Sequence, residues 1–181
     1  METCIAVDIG GTKMLVAEVR ENGQIVNIKR YPTGKLGREE ILKRVVQGVY
    51  AYESEIGWEN GKRPKRMGTG INGLIDPVKG VWKKHNENDR EIAVTEFVER
   101  ELGVKCYADN DVKATVIAEN KFGAGTGCRD MVYINLGTGL SAGIIANGKL
   151  IRGSDGFAGE IGFMNLTGGE GVRTELRVSG M

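Results

Sequence analysis

Residues 8–12 read DIGGT, and residues 135–139, which lie 127 positions further along the chain, read NLGTG. Each copy is followed by a segment of alternating apolar residues that ends at an Asn-Gly pair, at residues 22–23 and 147–148. Asn-Gly is a typical sequence for a tight β-hairpin turn. The chain therefore begins the same arrangement of strand, glycine turn and strand twice, which predicts two related lobes.

Strands and helices alternate between and around the two copies. The periodicity predicts helices over residues 37–57, 92–102 and 111–122. It predicts strands over residues 4–8, 14–20, 24–28, 67–71, 104–108, 131–136, 140–146 and 149–151. Interleaved elements of this kind are typical of an α/β fold with a mixed sheet. We predict a first lobe over residues 1–110 and the beginning of a second lobe over residues 111–181, which is short for a complete domain.

Composition excludes several classes of protein. With 25 Lys+Arg against 24 Asp+Glu among 181 residues, the net charge of +1 gives no general attraction to nucleic acid or anionic membranes. Residues 131–148 form the longest uncharged stretch and are too polar to span a bilayer. One histidine, His85, and three widely spaced cysteines give no zinc motif and no disulfide framework. The odd cysteine count, and residues 1–15 without a secretory pattern, lead us to expect a cytoplasmic protein with no membrane partner.

The two glycine turns are candidate phosphate-binding sites. Residues 10–12 and residues 137–139 can direct several backbone N–H groups to one side, because glycine tolerates positive φ and has no Cβ. An ordinary hairpin turn explains either tip alone, but a polar residue at the same offset in both copies, Asp8 or Asn135, favours phosphate binding. A carboxylate at the position of Asp8 is suited to hold hydrated Mg²⁺ against a phosphate chain.

A third glycine-rich segment does not predict a dinucleotide site. Residues 68–73 (GTGING) match the pattern G-x-G-x-x-G, but Asp76 and Pro77 follow where the helix of that motif must begin. The P-loop sequence is also absent. Any phosphate site in this chain is therefore expected at the paired hairpins.

Acidic residues at two further positions allow either a structural or a chemical role. Asp109, Asn110 and Asp111 stand between a predicted strand and a predicted helix, where they would cap the helix and complement its dipole. Beside a phosphate cleft, an ionised aspartate is equally the general base that a hydroxyl nucleophile requires. Glu160, in a glycine-bounded turn, either accepts hydrogen bonds from polyol hydroxyls or is solvated. The residues by themselves leave both choices open.

Four segments taken together resemble the ROK family of sugar kinases and sugar-responsive repressors: residues 8–13 (DIGGTK), 110–111 (ND), 136–139 (LGTG) and 159–162 (GEIG). Their order and spacing also fit that family, and the resemblance covers essentially the whole chain. It implies the actin-like, ribonuclease H-like ATPase fold of the hexokinase superfamily, an α/β fold whose second lobe is incomplete in these residues. Much of the adenine pocket is then expected outside them.

The resemblance implies a glucokinase-like enzyme that transfers the γ-phosphoryl group of ATP to a hexose hydroxyl, with Mg²⁺ as cofactor. It implies that Asp111 is the catalytic base for the sugar hydroxyl. The implied contacts of the ATP phosphates are Gly10, Gly11, Thr12, Lys13, Gly137, Thr138 and Gly139, with Asp8 near Mg²⁺ through water. The implied contacts of the sugar are Gly73, Asn86, Asn110, Asp111 and Glu160.

The sequence departs from the family pattern at Phe163, where members commonly have a histidine that serves both the sugar and a zinc site completed by downstream cysteines. Those cysteines are absent too, so no zinc is expected. The departure keeps open a non-catalytic sugar-binding or transcriptional-regulator member of the family, with an unrelated phosphate-binding domain as a third reading. No DNA-binding segment precedes the first hairpin, so no nucleic-acid partner is expected. We expect a homodimer that acts on a hexose or hexosamine whose identity the sequence leaves open.

Overall fold

The computed structural model describes residues 1–34, 36–84, 90–165 and 174. The chain divides into two compact units, Met1–Asp111 and Val112–Met181. The helices are α1 (Arg38–Glu55), α2 (Val94–Leu102) and α3 (Asp111–Phe122). The strands are β1 (Thr3–Ile9), β2 (Lys13–Arg20), β3 (Ile25–Pro32), β4 (Arg66–Ile71), β5 (Ile75–Asp76), β6 (Val81–Trp82), β7 (Ile92–Ala93), β8 (Lys105–Asn110), β9 (Met131–Leu136), β10 (Leu140–Ala146) and β11 (Lys149–Leu150).

The first unit is built on a five-stranded mixed sheet in the order β3-β2-β1-β4-β8. Strands β1, β2 and β3 form an antiparallel meander, whereas β1, β4 and β8 run parallel to one another. Because parallel strands end at the same edge of a sheet, the carboxyl ends of β1, β4 and β8 lie side by side. In this register Asp8 pairs with Gly70, Gly70 pairs with Asp109, and Ile71 pairs with Asn110. The sheet thus brings three distant segments of the sequence to one edge.

The core of the first unit lies between this sheet and its two helices. Helix α1 packs against β2 and α2, and α2 packs against β8. Alternate strand residues and one face of each helix are buried together, as their periods require. The buried set includes Ile5, Val7, Met14, Val16, Val45, Val49, Tyr52, Met67, Ile71, Val98 and Leu102. The helix predicted over residues 37–57 ends sooner, at Glu55, and Ile56, which follows it, is 43% exposed.

Short strands account for the largest difference from the predicted elements. Strands β5, β6 and β7 have two residues each and form a separate sheet in that order. The helix predicted from residue 92 begins at Val94 instead, because Ile92 pairs with Trp82 in this small sheet. Two residues are too few to produce a periodicity in the sequence, so tertiary pairing decides these strands.

The second unit carries a three-stranded antiparallel sheet in the order β11-β10-β9, together with most of α3. Helix α3 lies close to β10, since an added Cβ on Gly143 would stand 2.5 Å from Val116, which is fully buried. No helix in the described ranges is long and apolar enough to cross a membrane. The three sheets and their flanking helices confirm the predicted α/β fold class.

Candidate functional site

Two aspartates lie beside Gly70 at the edge where the parallel strands end. An added Cβ on Gly70 would stand 3.4 Å from the Cα atom of Asp111 and 3.7 Å from the Oδ1 atom of Asp8. Asp8 belongs to β1, and Asp111 is the first residue of α3, directly after β8. The absence of a side chain at Gly70 therefore lets carboxyl groups from the two ends of this unit's sequence approach each other.

Asp8 is exposed at the sheet edge, yet its surroundings raise its pKa above the ordinary value. Partial desolvation by the neighbouring strand ends is the larger cause, and the negative charge of Asp111 is the second. Lys13 opposes both effects. A bound cation relieves such repulsion, and Mg²⁺ typically takes one or two carboxylates while it keeps several waters. The oxygen donors at this edge therefore fit hydrated Mg²⁺.

Asn110 and Gly73 form a polar pair next to Asp111. The Asn110 side chain is buried, and its Nδ2 atom donates to the carbonyl oxygen of Gly73 at 3.2 Å. Gly73 has a φ of +113°, and an added Cβ there would stand 2.8 Å from the Nε1 atom of Trp82. Any side chain at position 73 would therefore strain the backbone and displace the indole. Three of the predicted sugar-contacting residues are thus neighbours in the first unit.

The first glycine turn is closed by the Gly10 N–H, which donates to the carbonyl oxygen of Lys13 at 2.9 Å. The Thr33 N–H donates to the carbonyl oxygen of Thr12 at 3.2 Å and holds the tip from the end of β3. Neither Gly10 nor Gly11 lies in the left-handed region, so the expectation that positive φ explains these glycines is wrong. An added Cβ on Gly11 would meet nothing within 4 Å. A ligand that approaches the backbone is a physical reason for glycine at this open position.

The second glycine turn is as open as the first and one residue shorter. Ile9 pairs with Met14 across the first turn, whereas Leu136 pairs with Leu140 across the second. Gly137 also lies outside the left-handed region, and an added Cβ there would meet nothing within 4 Å. Each turn therefore has a glycine that the fold of its own unit does not require.

Glu160 lies in a short turn beside β10 in the second unit, and the glycine before it is required by packing. Gly159 has a φ of +88°, and an added Cβ would stand 1.8 Å from the carbonyl oxygen of Ala142. Its own carbonyl oxygen accepts the Ala142 N–H at 2.7 Å. A 3-10 turn over Ile161–Phe163 follows, with the Phe163 side chain 47% exposed. The backbone that carries Glu160 is thus fixed against β10.

The structure places the predicted site residues in two groups. The first unit holds Asp8, the first glycine turn, Gly73, Asn110 and Asp111, and the second holds the other turn and Glu160. Asn86 and His85 fall outside the described residues. Within the described part of the chain, no three His, Cys, Asp or Glu side chains form a metal-binding group. Sequence reasoning misses Gly70, whose only signal was its place in the glycine-rich residues 68–73.

The mixed sheet with its flanking helices has the actin-like ATPase fold. The chain belongs to the ROK family, whose family model matches residues 4–175. It is 34% identical over 167 residues to a glucokinase from Streptomyces coelicolor, which covers 92% of this chain and 50% of that protein. A ROK family glucokinase from Streptomyces griseus, solved in complex with glucose and AMPPNP, matches with a TM-score of 0.80 at 32% identity, over 98% of this chain and 57% of that one.

Regulators are also among the relatives. A xylose repressor from Caldicellulosiruptor bescii is 28% identical over 164 residues, which cover 90% of this chain and 41% of that protein. The chain spans about half the length of the curated glucokinases it matches. The resemblance drawn from the four sequence motifs is therefore confirmed at the level of the family, and the family contains both kinases and repressors.

Proposed function

We propose that this protein is an ATP-dependent sugar kinase that transfers the γ-phosphoryl group of ATP to a hydroxyl group of a hexose or hexosamine. The observation that carries this proposal is the approach of Asp8 and Asp111 across Gly70, at the sheet edge from which the first glycine turn also extends. The similarity to glucokinases, one of them solved with glucose and AMPPNP, supports the same reaction.

Asp111 is proposed to act as the general base. The proton of the sugar hydroxyl passes to Asp111 as the hydroxyl oxygen attacks the γ-phosphorus, and the bond between that phosphorus and the ADP oxygen breaks. Asn110, Gly73, Asn86 and Glu160 are proposed to hold the other hydroxyl groups. Such orientation matters because catalysis of phosphoryl transfer consists largely of positioning and charge stabilisation.

Residues 10–13 and 137–139 are proposed to bind the phosphates of ATP through backbone N–H groups. The open space beside Gly11 and Gly137 supports this role. Asp8 is proposed to hold Mg²⁺ through water, and its partly desolvated position beside a second carboxylate supports cation binding. When bound, Mg²⁺ neutralises charge on the transferring phosphate.

A second candidate is a regulator of the same family that binds a sugar but does not phosphorylate it. The similarity to a xylose repressor favours it. Phe163 favours it as well, because an aromatic side chain replaces the hydrogen-bonding histidine that the family resemblance leads us to expect there.

Sugar-dependent ADP release across a panel of hexoses and hexosamines tests the proposal, in the longest natural form of the protein that contains this sequence. Asp111→Asn keeps the side-chain shape and removes the base, so turnover should fall about 10²- to 10⁴-fold while the thermal unfolding temperature stays close to wild type. Asp109→Asn is the matched control, because the Asp109 Oδ1 atom accepts the Asn110 N–H at 2.8 Å and asparagine keeps that acceptor.

Two results would contradict the proposal. Full turnover in Asp111→Asn would reject this residue as the base. A folded wild-type protein that binds one sugar in calorimetry but releases no ADP with any sugar would favour the regulator.

A further inference from the structure

Arg38 is the first residue of α1, and its guanidinium contacts three of the described residues outside that helix. The Nη1 atom donates to the carbonyl oxygen of Arg90 at 3.1 Å, and the Nη2 atom donates to the carbonyl oxygen of Lys83 at 2.7 Å. The Cζ atom lies 4.4 Å from the ring centroid of Trp82, within cation–π range. The planar fork of arginine is suited to make all three contacts at once.

Helix stability does not explain a cation at this position. The N-terminus of a helix carries the positive end of the macrodipole, so a positive side chain in the first turn is unfavourable. Glu39 and Glu40 occupy the next two positions, and the Glu40 side chain accepts the Gly37 N–H at 3.0 Å. These acidic residues already complement the helix dipole and cap the N-terminus of α1. Outside the helix, the Arg38 guanidinium contacts the indole of Trp82 in the small sheet and two carbonyl oxygens that flank this sheet.

The Trp82 indole, which Arg38 covers, packs beside Gly73, one of the proposed sugar-binding residues. Trp82 is only 9% exposed, and its Nε1 atom fills the space where a Cβ on Gly73 would stand. The carbonyl oxygen of Gly73 in turn accepts the Nδ2 N–H of Asn110 at 3.2 Å. A continuous set of contacts thus runs from Arg38 through Trp82 and Gly73 to Asn110, the residue directly before Asp111.

We propose that Arg38 is a positioning residue for sugar binding, which acts through Trp82 to hold Gly73 and Asn110 in place. The inference rests on the proposed sugar site and adds a residue that touches neither sugar nor nucleotide. Loss of the guanidinium frees the indole, and the Gly73 carbonyl and Asn110 amide then lose their fixed orientation. We expect nucleotide binding to be unaffected, because Trp82, Gly73 and Asn110 belong to the proposed sugar half of the site and not to the glycine turns.

The test compares Arg38→Gln and Arg38→Lys with Arg100→Gln in the longest natural form of the protein. Arg100 is a matched control, because it also covers an aromatic ring, Phe97 at 5.2 Å, but its guanidinium bonds to the neighbouring Glu101. For Arg38→Gln we expect the sugar KM, and the sugar Kd from calorimetry, to rise about 10-fold to 100-fold, while the ATP KM and the kcat change little. Arg100→Gln should leave all four values near wild type.

Arg38→Lys separates geometry from charge. Lysine keeps the positive charge but cannot donate to two carbonyls and stack on the ring at the same time. The sugar KM of Arg38→Lys should therefore rise almost as much as that of Arg38→Gln. Full recovery in Arg38→Lys, or an equal change in the sugar and ATP KM values of Arg38→Gln, would overturn the inference while leaving the kinase proposal intact. A wild-type protein that neither binds nor phosphorylates any sugar would overturn the proposed function and, with it, this role.

Discussion

The two glycine turns share a sequence motif but differ in their surroundings. Strand β1, which leads into the first turn, lies between β2 and β4 inside a five-stranded sheet. Strand β9, which leads into the second, has one bonded neighbour among the described residues, and its outward side chains Val132, Ile134 and Leu136 are 61%, 62% and 63% exposed. The first motif also presents Asp8 beside Asp111, whereas the second presents the neutral Asn135, paired with Ser141.

This difference separates two properties that the repeated motif alone would assign to both turns. Open backbone at the tip is common to both, because neither Gly11 nor Gly137 has an atom within 4 Å of an added Cβ. Of the two motifs, only the first has a carboxylate at this position, and Asp8 is partly desolvated and lies beside a second carboxylate. We therefore infer that both turns are suited to phosphate and that the first alone is suited to a cation.

Exchanging the charged and neutral residues of the two motifs is the strongest test of the difference between the two turns. Asp8→Asn gives the first motif the chemistry of the second and should lower turnover roughly 10-fold to 100-fold by weakening Mg²⁺ binding. Asn135→Asp, the reciprocal control, should give no gain, because the strand partner of residue 135 is Ser141, which supplies no second carboxylate. The measurement is the Mg²⁺ dependence of sugar-driven ADP release.

An unchanged Mg²⁺ requirement in Asp8→Asn would remove the distinction between the turns. A rescue of Asp8→Asn by Asn135→Asp would instead assign cation binding to the second turn.

Alanine at the tip glycines tests the property that the turns share. Gly11→Ala and Gly137→Ala should leave stability unchanged or raise it by about 0.4–1 kcal/mol, because neither φ is left-handed and both sites are open. The same variants should weaken nucleotide binding roughly tenfold, through loss of about one backbone contact each. Thermal melting and nucleotide titration measure the two effects.

Gly159→Ala is the control for this pair, and it should behave in the opposite way. Gly159 has a φ of +88°, and an added Cβ would stand 1.8 Å from the Ala142 carbonyl oxygen, so we expect a loss of about 1–3 kcal/mol of stability or more. Tip variants that melt as early as Gly159→Ala would show that the turns are structural.

The smallest expected effect is the pH dependence that Asp8 adds to stability. Its pKa is raised above 3.8, so the folded protein binds this proton more tightly than the unfolded chain does. Stability from this group is therefore lost as the pH rises from about 3.8 through the raised pKa. Asp8→Asn should melt at a higher temperature than wild type at pH 7, and the difference in melting temperature should vanish below a pH of about 3.8. A variant that melts earlier than wild type at pH 7 would contradict the repulsion between Asp8 and Asp111.

Long, regular elements could be predicted from the sequence, whereas short or context-dependent ones could not. Helix α3 and strands β9 and β10 have the predicted bounds, because each has several residues of one period and a clear terminating residue. Strands β5 to β7 lack that length, and their pairing shortens the predicted helix over residues 92–102. Within the candidate site, Asp8, Asn110 and Asp111 follow from motifs, but the place of Gly70 between two carboxylates depends on strand register.

By itself, the sequence determined the α/β class, the family and the repetition of the glycine motif, since these depend on residue types at short spacing. Only the tertiary structure decided that Asp8 and Asp111 meet across Gly70, that the tip glycines are open without being left-handed, and that Arg38 reaches Trp82. Each of these depends on the register of parallel strands or on contacts between residues far apart in the chain. Local periodicity carries no information about such distances, which arise only when the sheet and its helices have packed together.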